Sequence, residues 1–338
     1  MAEWILRQGS KQRGFRYVNG RGGVVPAAAR ARVEALRIPP AWTDVHAAAN
    51  SRAEIQAWGF DAKGRKQYRY HPRSVERGQT RKHYRVRQLG KDLPRIRERI
   101  ETDFRSRGWS RERVAAGVVR LIIERFFRVG SERYAKENGT YGIATMRKKH
   151  ATVFGDRTIF TYSGKRSIKQ RQTVVEQSLA TFVEGLLETP GPRLFRYQSG
   201  RTWHDLTARD VNDYLRDAVG VSYTAKDFRT WGGTLRAATV LADVGPAPNA
   251  SQAKKNAGMA IRVVAWELGN TPAICRKSYV HPLVIARYLD DGITIQLPRR
   301  RAKAPSTPGQ SIEERALLKF LDEHFPERRR RKRIADDE

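Results

Sequence analysis

The chain has 338 residues, 39% of them hydrophobic, enough to bury a core in more than one domain. Sixty-six Lys and Arg against 35 Asp and Glu leave a formal charge of +31, a self-repulsion that a polyanion offsets, so nucleic acid is the implied partner. One cysteine, Cys275, rules out an internal disulfide and a multi-cysteine zinc site, no apolar run approaches the ~20 residues that cross a bilayer, and no GxxxxGK[ST] loop points to nucleotide hydrolysis.

The seven histidines are scattered without the paired spacing of ligands, so no metal is expected. The opening MAEWILRQGS has no apolar stretch behind a basic start and does not read as a secretory signal. With the lone cysteine, this suits a reducing cytoplasm.

Residues 1–90 predict short strands and turns. In GFRYVNGRGG the pair Asn19-Gly20 marks a turn, and in EIQAWGFDAKGRKQYRYHP the stretch from Asp61 to Gly64 separates two aromatic-bearing runs as a hairpin would. Between them, VPAAARARVEALRIPPAW spaces Val33, Leu36 and its alanines for a short helix that Pro39 and Pro40 close. A composition shift near Gly90 sets the expected domain boundary, and helical periodicity begins at Leu93.

RERVAAGVVRLIIERFFRVG places Val114, Val118, Ile122 and Phe126 at every fourth residue, with Gly130 as the expected terminator. HATVFGDRTIFTYSGKRSIKQRQTVV alternates around the turn signals Gly155-Asp156 and Ser163-Gly164, predicting a small antiparallel sheet within a helical domain. Helices are predicted again in VEQSLATFVEGLLE, TARDVNDYLRDAV, AKDFRTWGGTLRAATVLADV and SQAKKNAGMAIRVVAWELG. After Leu297, PRRRAKAPSTPGQ is a basic, Pro-rich linker and SIEERALLKFLDEHF a short helix opened by a Ser311 to Glu314 capping box. PERRRRKRIADDE is a charge run, either a solvated tail or one that adds DNA affinity. The expected fold class is α+β and multidomain: an antiparallel β-domain with short helices over 1–90, a mostly helical domain with a small sheet over 91–297, and a basic tail over 298–338.

Four places carry candidate chemistry, and each has an ordinary explanation as well. In ELGNTPAICRKSYVHP a helix stops at Gly269, Thr271 suits a cap, Pro272 opens a new helix and Pro282 closes it. Tyr279, two turns in, leans back toward Asn270, so both can reach one phosphate, although a helix tyrosine taken alone is far more commonly a core or surface aromatic. Arg128 in FFRVG is a functional cation, or else a cap at the helix's negative end or the ion-pair partner of Glu124, one turn earlier. Lys165 in YSGKRS follows a turn between strands, where a solvated charge is commonest. Arg229 in AKDFRTWGGTLRAA precedes Gly232-Gly233, and such a pair implies close approach of another backbone, either a DNA strand or a packed helix.

Taken in order, Arg128, Lys165, Arg229, Asn270 and Tyr279 resemble the active-site set of the type IB DNA topoisomerases, specifically the poxvirus-like and bacterial branch. FFRVGSERYAKENGTYGIATMRKKH looks like the family's first-arginine segment, YSGKRS its hairpin lysine, KDFRTWG its second-arginine helix and GNTPAICRKSYV its tyrosine motif. Upstream, IPPAWTDV and GRKQYRYHP look like the family's N-terminal β-domain, so the resemblance spans residues 15 to 292. It implies the DNA breaking-rejoining fold, a C-shaped clamp on double-stranded DNA, a monomer, a site at the nucleoid of a bacterium, and relaxation of supercoils without a nucleotide cofactor. Poxviral and nuclear members typically have histidine where Asn270 stands; bacterial members resemble this chain in having Asn. An amide donates a neutral hydrogen bond to a phosphate oxygen but brings no charge and shuttles no proton.

The residue types fit the chemistry on physical grounds too. A phosphodiester attacked by a phenol passes through a more anionic phosphorus centre, for which two bidentate guanidiniums, Arg128 and Arg229, are apt clamps. The leaving 5'-oxygen needs a proton, and a lysine among other cations, Lys165, suits that task. Tyr279 would join covalently to the 3'-phosphate. Gln67, Tyr68 and Tyr70 alternate along a strand and, like Tyr134, are DNA-contact candidates by resemblance; Lys226, in KDFRTWG, is a further one. Hairpin packing is the competing explanation for the tyrosines.

A tyrosine recombinase shares this chemistry but usually shows His-x-Leu-Arg at the second arginine, whereas KDFR stands here, and usually leads with a helical domain. A non-catalytic DNA-binding protein would satisfy the charge alone.

Overall fold

The computed structural model describes residues 3–298 and 309–325, so most of the basic linker and the terminal charge run lie outside the described residues. The chain forms two compact units, 1–83 and 84–338. The division falls between His83 and Tyr84, within a helix, and not at the composition shift near Gly90.

The first unit is a five-stranded antiparallel sheet of order β2-β1-β3-β4-β5. Its strands are β1 (Trp4–Ser10), β2 (Gly14–Asn19), β3 (Thr43–Ala48), β4 (Ile55–Phe60) and β5 (Lys66–Tyr70), with helix α1 (Ala27–Ala35) between β2 and β3. Ile5, Val45, Ala47 and Ala57 alternate inward and pack with Val25, Val33 and Ile38 around α1. As expected, Asp61 to Gly64 turns β4 into β5: Asp61 Oδ1 accepts from the amides of Lys63 and Arg65, each at 3.0 Å, and Gly64 takes φ 68°. The Arg65 guanidinium holds the Asp61 carboxyl down at about 2, helped by those amides. At the other predicted turn, Asn19 Oδ1 accepts from Gly23 N at 2.8 Å and closes a loop.

In the second unit the helices begin with α2 (Pro72–Phe104), which starts before the boundary and runs for 33 residues. The predicted onset at Leu93 is late because the first turns are polar and exposed, so no apolar stripe marks them. Pro94 sits inside this helix and has no N–H for the carbonyl of Gly90; Gln310 Nε2 donates to that carbonyl at 2.6 Å instead. Helix α3 (Arg111–Arg125) follows, capped by Ser110 Oγ accepting from Arg113 N. It ends at Phe126 in the left-handed region (φ 54°), four residues before the expected terminator Gly130.

Next come α4 (Glu132–Asn138) and the predicted sheet, β6 (Ala151–Phe154), β7 (Arg157–Ser163) and β8 (Lys169–Val175), in that antiparallel order. Then follow α5 (Gln177–Leu187), the hairpin β9 (Arg196–Ser199) and β10 (Thr202–Asp205), α6 (Ala208–Val219), α7 (Ala225–Val244), α8 (Ala250–Leu268), α9 (Pro272–Ser278), α10 (Pro282–Asp291) and α11 (Ile312–His324). Pro282 opens α10 and does not close a longer α9, and His281 caps it. One core joins these elements, from Val86 and Leu89 of α2 to Leu317 and Leu321 of α11. Helix α11 has the expected capping box, and its buried Glu314 pairs with Arg97 through bonds of 2.7 and 2.8 Å. Among the described residues no helix is long and apolar enough to cross a membrane, and no group of three His, Cys, Asp or Glu could hold a metal.

Candidate active site

The left-handed turn at Phe126 redirects the chain so that Arg128 leaves the end of α3 on an irregular segment. That segment is fixed by backbone bonds from Ile143 N to Arg128 O (2.8 Å) and from Ala144 N to Val129 O (2.9 Å). Arg128 does not pair with Glu124: its Nη2 donates to Asn270 Oδ1 at 2.6 Å and to Gly269 O at 3.1 Å.

Arg229, in the second turn of α7, is 3% exposed. Its Nη1 donates to Phe126 O and its Nη2 to Leu268 O, the latter at 2.8 Å. The guanidinium carbon lies 5.1 Å from the centre of the Tyr279 ring. Burial pushes this guanidinium down to about 10, with the nearby Arg128 charge adding to the effect and Tyr279 opposing it.

Gly232 and Gly233 explain how the parts fit. A Cβ on Gly232 would stand 1.9 Å from the Phe126 ring, and one on Gly233 would stand 2.7 Å from the Tyr279 carbonyl oxygen. The pair therefore admits the turn that carries Arg128 and the backbone that carries Tyr279, not a DNA strand.

Helix α8 ends in Gly269 at φ 57°, and Thr271 Oγ1 caps α9 by accepting from Ile274 N. Tyr279 is the C-cap of this short helix, half-buried, with its N–H on Cys275 O at 2.9 Å. Because Arg128 takes the amide oxygen of Asn270, the amide nitrogen is turned the other way. That Nδ2 is buried with no oxygen or nitrogen partner, beside only the weakly accepting Cys275 thiol. Burial raises the Cys275 thiol, while Arg229 and Arg128 pull it down.

Lys165 is exposed in the turn that follows β7. Arg166 and Ser167 after it both take positive φ, 66° and 58°, and Gly164 N bonds Ile168 O at 2.8 Å to close the turn. No direct contact links Lys165 to the other four among the described residues, but Gln170 spans the gap between their backbones. A Cβ on Gly164 would lie 2.8 Å from Gln170 Cγ, and one on Gly269 would lie 2.6 Å from Gln170 Oε1. The lysine turn and the Asn270 turn thus share one neighbour.

Two contributors were not predicted. Tyr162 is buried, and desolvation pushes its hydroxyl up to about 12 while Arg128 and Arg229 act against that shift. Thr234 is fully buried, and its Oγ1 accepts from His281 N at 3.0 Å, tying α7 to the chain just after Tyr279. The inward alternation of β7 was a usable signal for Tyr162; Thr234 had none.

The DNA-contact candidates are individually disposed. Tyr68 and Tyr70 are 40% and 51% exposed on one face of edge strand β5, with ring centres 5.8 Å apart. Gln67 points the other way and donates to Asp61 Oδ2 at 3.0 Å. Tyr134 is exposed, on a separate helix, α4, and Lys226 is exposed in the first turn of α7.

Residues 72–302 match the model of the eukaryotic DNA topoisomerase I catalytic core, and residues 14–61 match that of the bacterial DNA topoisomerase IB N-terminal domain. Among curated relatives, the DNA topoisomerase 1B of Acanthamoeba polyphaga mimivirus is 32% identical over 267 residues, 76% of this chain and 79% of the relative. The DNA topoisomerase I of monkeypox virus is 24% identical over 238 residues, 69% of this chain and 72% of that protein. The DNA topoisomerase 1 of rabbit fibroma virus is 24% identical over 273 residues, 78% and 83% of the two chains. With a five-stranded N-terminal sheet, a helical second unit holding small sheets and matches across both, the chain belongs to the type IB DNA topoisomerase family.

Proposed function

We propose that this enzyme relaxes supercoiled DNA through a 3'-phosphotyrosyl intermediate formed by Tyr279. The Tyr279 hydroxyl oxygen attacks the scissile phosphorus and gives up its proton to solvent water, the bond from phosphorus to the 5'-oxygen breaks, and the Lys165 ammonium protonates that oxygen. Arg128 and Arg229 clamp the non-bridging oxygens, and Asn270 Nδ2 donates a neutral hydrogen bond to one of them. The nicked duplex rotates and the 5'-hydroxyl reverses the reaction. Bond energy is conserved in the phosphotyrosyl link, so resealing needs no ATP, and the two guanidiniums supply the positive charge, so no metal is required.

The observation that supports this reading best is the convergence of both guanidiniums on the turn from Leu268 to Asn270, with Arg229 over the Tyr279 ring. Tyr68, Tyr70 and Lys226 are exposed and Gln67 is half-buried, and with Tyr134 they are assigned to DNA contact. The enzyme acts as a monomer at the nucleoid of a bacterial cytoplasm.

Plasmid relaxation in EDTA without ATP, followed by denaturant quenching on a labelled duplex, tests the chemistry. Wild type is expected to relax the plasmid and to leave protein on the 3'-phosphate with a free 5'-hydroxyl. Tyr279→Phe is expected to do neither while still binding DNA. A Tyr279→Phe variant that forms the adduct overturns the assignment, and a wild type that recombines paired sites but relaxes nothing supports a recombinase.

A further inference from the structure

Trp266 is 83% exposed, whereas the other six tryptophans are half-buried or buried. It stands on the last turn of α8, four residues before Asn270, and lines an open cleft of about 660 Å³. The opposite wall brings Lys169 and Arg171 of β8 together with Arg125 at the end of α3. Phe126 and Gly269 also line it. These two are the residues whose carbonyls hold Arg229 and Arg128, so the cleft shares a wall with the site at Tyr279.

The charges of the cleft favour an anion. Among the described residues no carboxylate lies within ion-pair distance of Arg125, Lys169 or Arg171. Two acids also line it: Glu267 is engaged by Arg236 at 2.7 Å, and Glu124 is exposed. Lys169 and Arg171 are two residues apart on one strand and therefore project to the same side, roughly 7 Å apart. An open indole face beside cations at that spacing is how proteins hold a nucleotide chain, stacking one unit and pairing the phosphates around it.

We propose that this cleft is a DNA subsite, in which Trp266 packs on the base or deoxyribose of a nucleotide flanking the scissile phosphate while Lys169 and Arg171 pair with adjacent phosphates. It rests on the transesterification reading for its position beside the scissile phosphate, and its test is separable from that reading. In a Tyr279→Phe background, which binds without cleaving, Trp266→Ala is expected to weaken duplex binding about tenfold and Trp266→Phe to retain most of the affinity. Lys169→Ala or Arg171→Ala is expected to lower the slope of log K against log salt by about one. DNA binding should quench tryptophan emission, and Trp266→Phe should remove most of that quenching. A duplex abasic at the flanking position distinguishes the two contacts: loss of the Trp266 contribution identifies the base, and its retention identifies the sugar. Because Trp266 is exposed, its variants should melt with wild type, and equal affinity and equal quenching in Trp266→Ala overturn the subsite. Failure of wild type to form the Tyr279 adduct overturns the reaction instead and leaves these binding results standing.

Discussion

The role proposed for Asn270 depends on Arg128. A free amide turns either end toward a phosphate, but the bond from Arg128 Nη2 to Oδ1 leaves the buried Nδ2 as the donor without an oxygen or nitrogen partner. Asn270→Ala is therefore expected to slow single-turnover cleavage by about 10²-fold, with little effect on DNA affinity. Asn270→Asp, which offers an acceptor and a negative charge where a donor is needed, should be slower still. Cleavage by Asn270→Ala at the wild-type rate removes the residue from the mechanism. Arg229, pushed down to about 10, stays charged at neutral pH. Its two carbonyl partners need a fork of donors, so Arg229→Lys should lose about 10²-fold in cleavage, with no recovery when the pH is varied from about 6 to 9. At this scale the sequence named the residues by resemblance, and their partners came only with the fold. Glu124 was the expected neighbour of Arg128, one turn back along a helix, yet α3 ends between them in a left-handed residue that no local pattern announces.

Among the elements, α7 carries the sharpest constraint. Gly232→Ala would drive a methyl into the Phe126 ring, and it is expected to cost about 2 kcal/mol of stability by urea titration. Gly233→Ala meets the Tyr279 carbonyl instead and should reduce cleavage by a larger factor than its loss of stability explains. Equal effects of the two on both measurements would show that the glycines serve general packing. In the first unit, Asp61 ties the turn from β4 to β5. Its carboxyl lies below the ordinary range, so its contribution is fully present above that range and is lost as the pH falls through about 2. The stability advantage of wild type over Asp61→Asn should be constant from pH 7 to about 5 and shrink below about 4. Strands and hairpins were legible because turn residues such as Asp61, Gly64 and Gly155 mark both ends. Helix ends were not: Pro282 reads equally as a stop or a start, and the hairpin Arg196–Asp205 lacks an apolar alternation.

For the whole molecule, a formal charge of +31 makes DNA affinity steeply dependent on salt, and plasmid binding should weaken by orders of magnitude between about 50 and 200 mM. The C-terminal helix α11 is part of the catalytic unit's core and not an appendage. Gln310 completes α2 at Pro94, Glu314 is buried against Arg97, and Leu317 and Leu321 are fully buried. Glu314→Ala strands the Arg97 charge and should destabilise the second unit by about 3 kcal/mol in urea. The capping box revealed α11 in the sequence, but its docking partners lie more than 200 positions away, beyond any local signal.

The carbonyls that hold Arg128 and Arg229 have a consequence for how the proposed site would meet DNA. Phe126 O lies at the C-terminal end of α3, and Leu268 O and Gly269 O lie at that of α8, the negative poles of two helix dipoles. A carboxylate in their place would carry a full opposing charge, repel the incoming phosphate and switch off in acid. A helix pole contributes only about half a charge, cannot be protonated and is made of backbone, so no side-chain substitution deletes it. Both guanidiniums are thus oriented by a counter-charge that, in the proposed reaction, is too weak to compete with the phosphodiester.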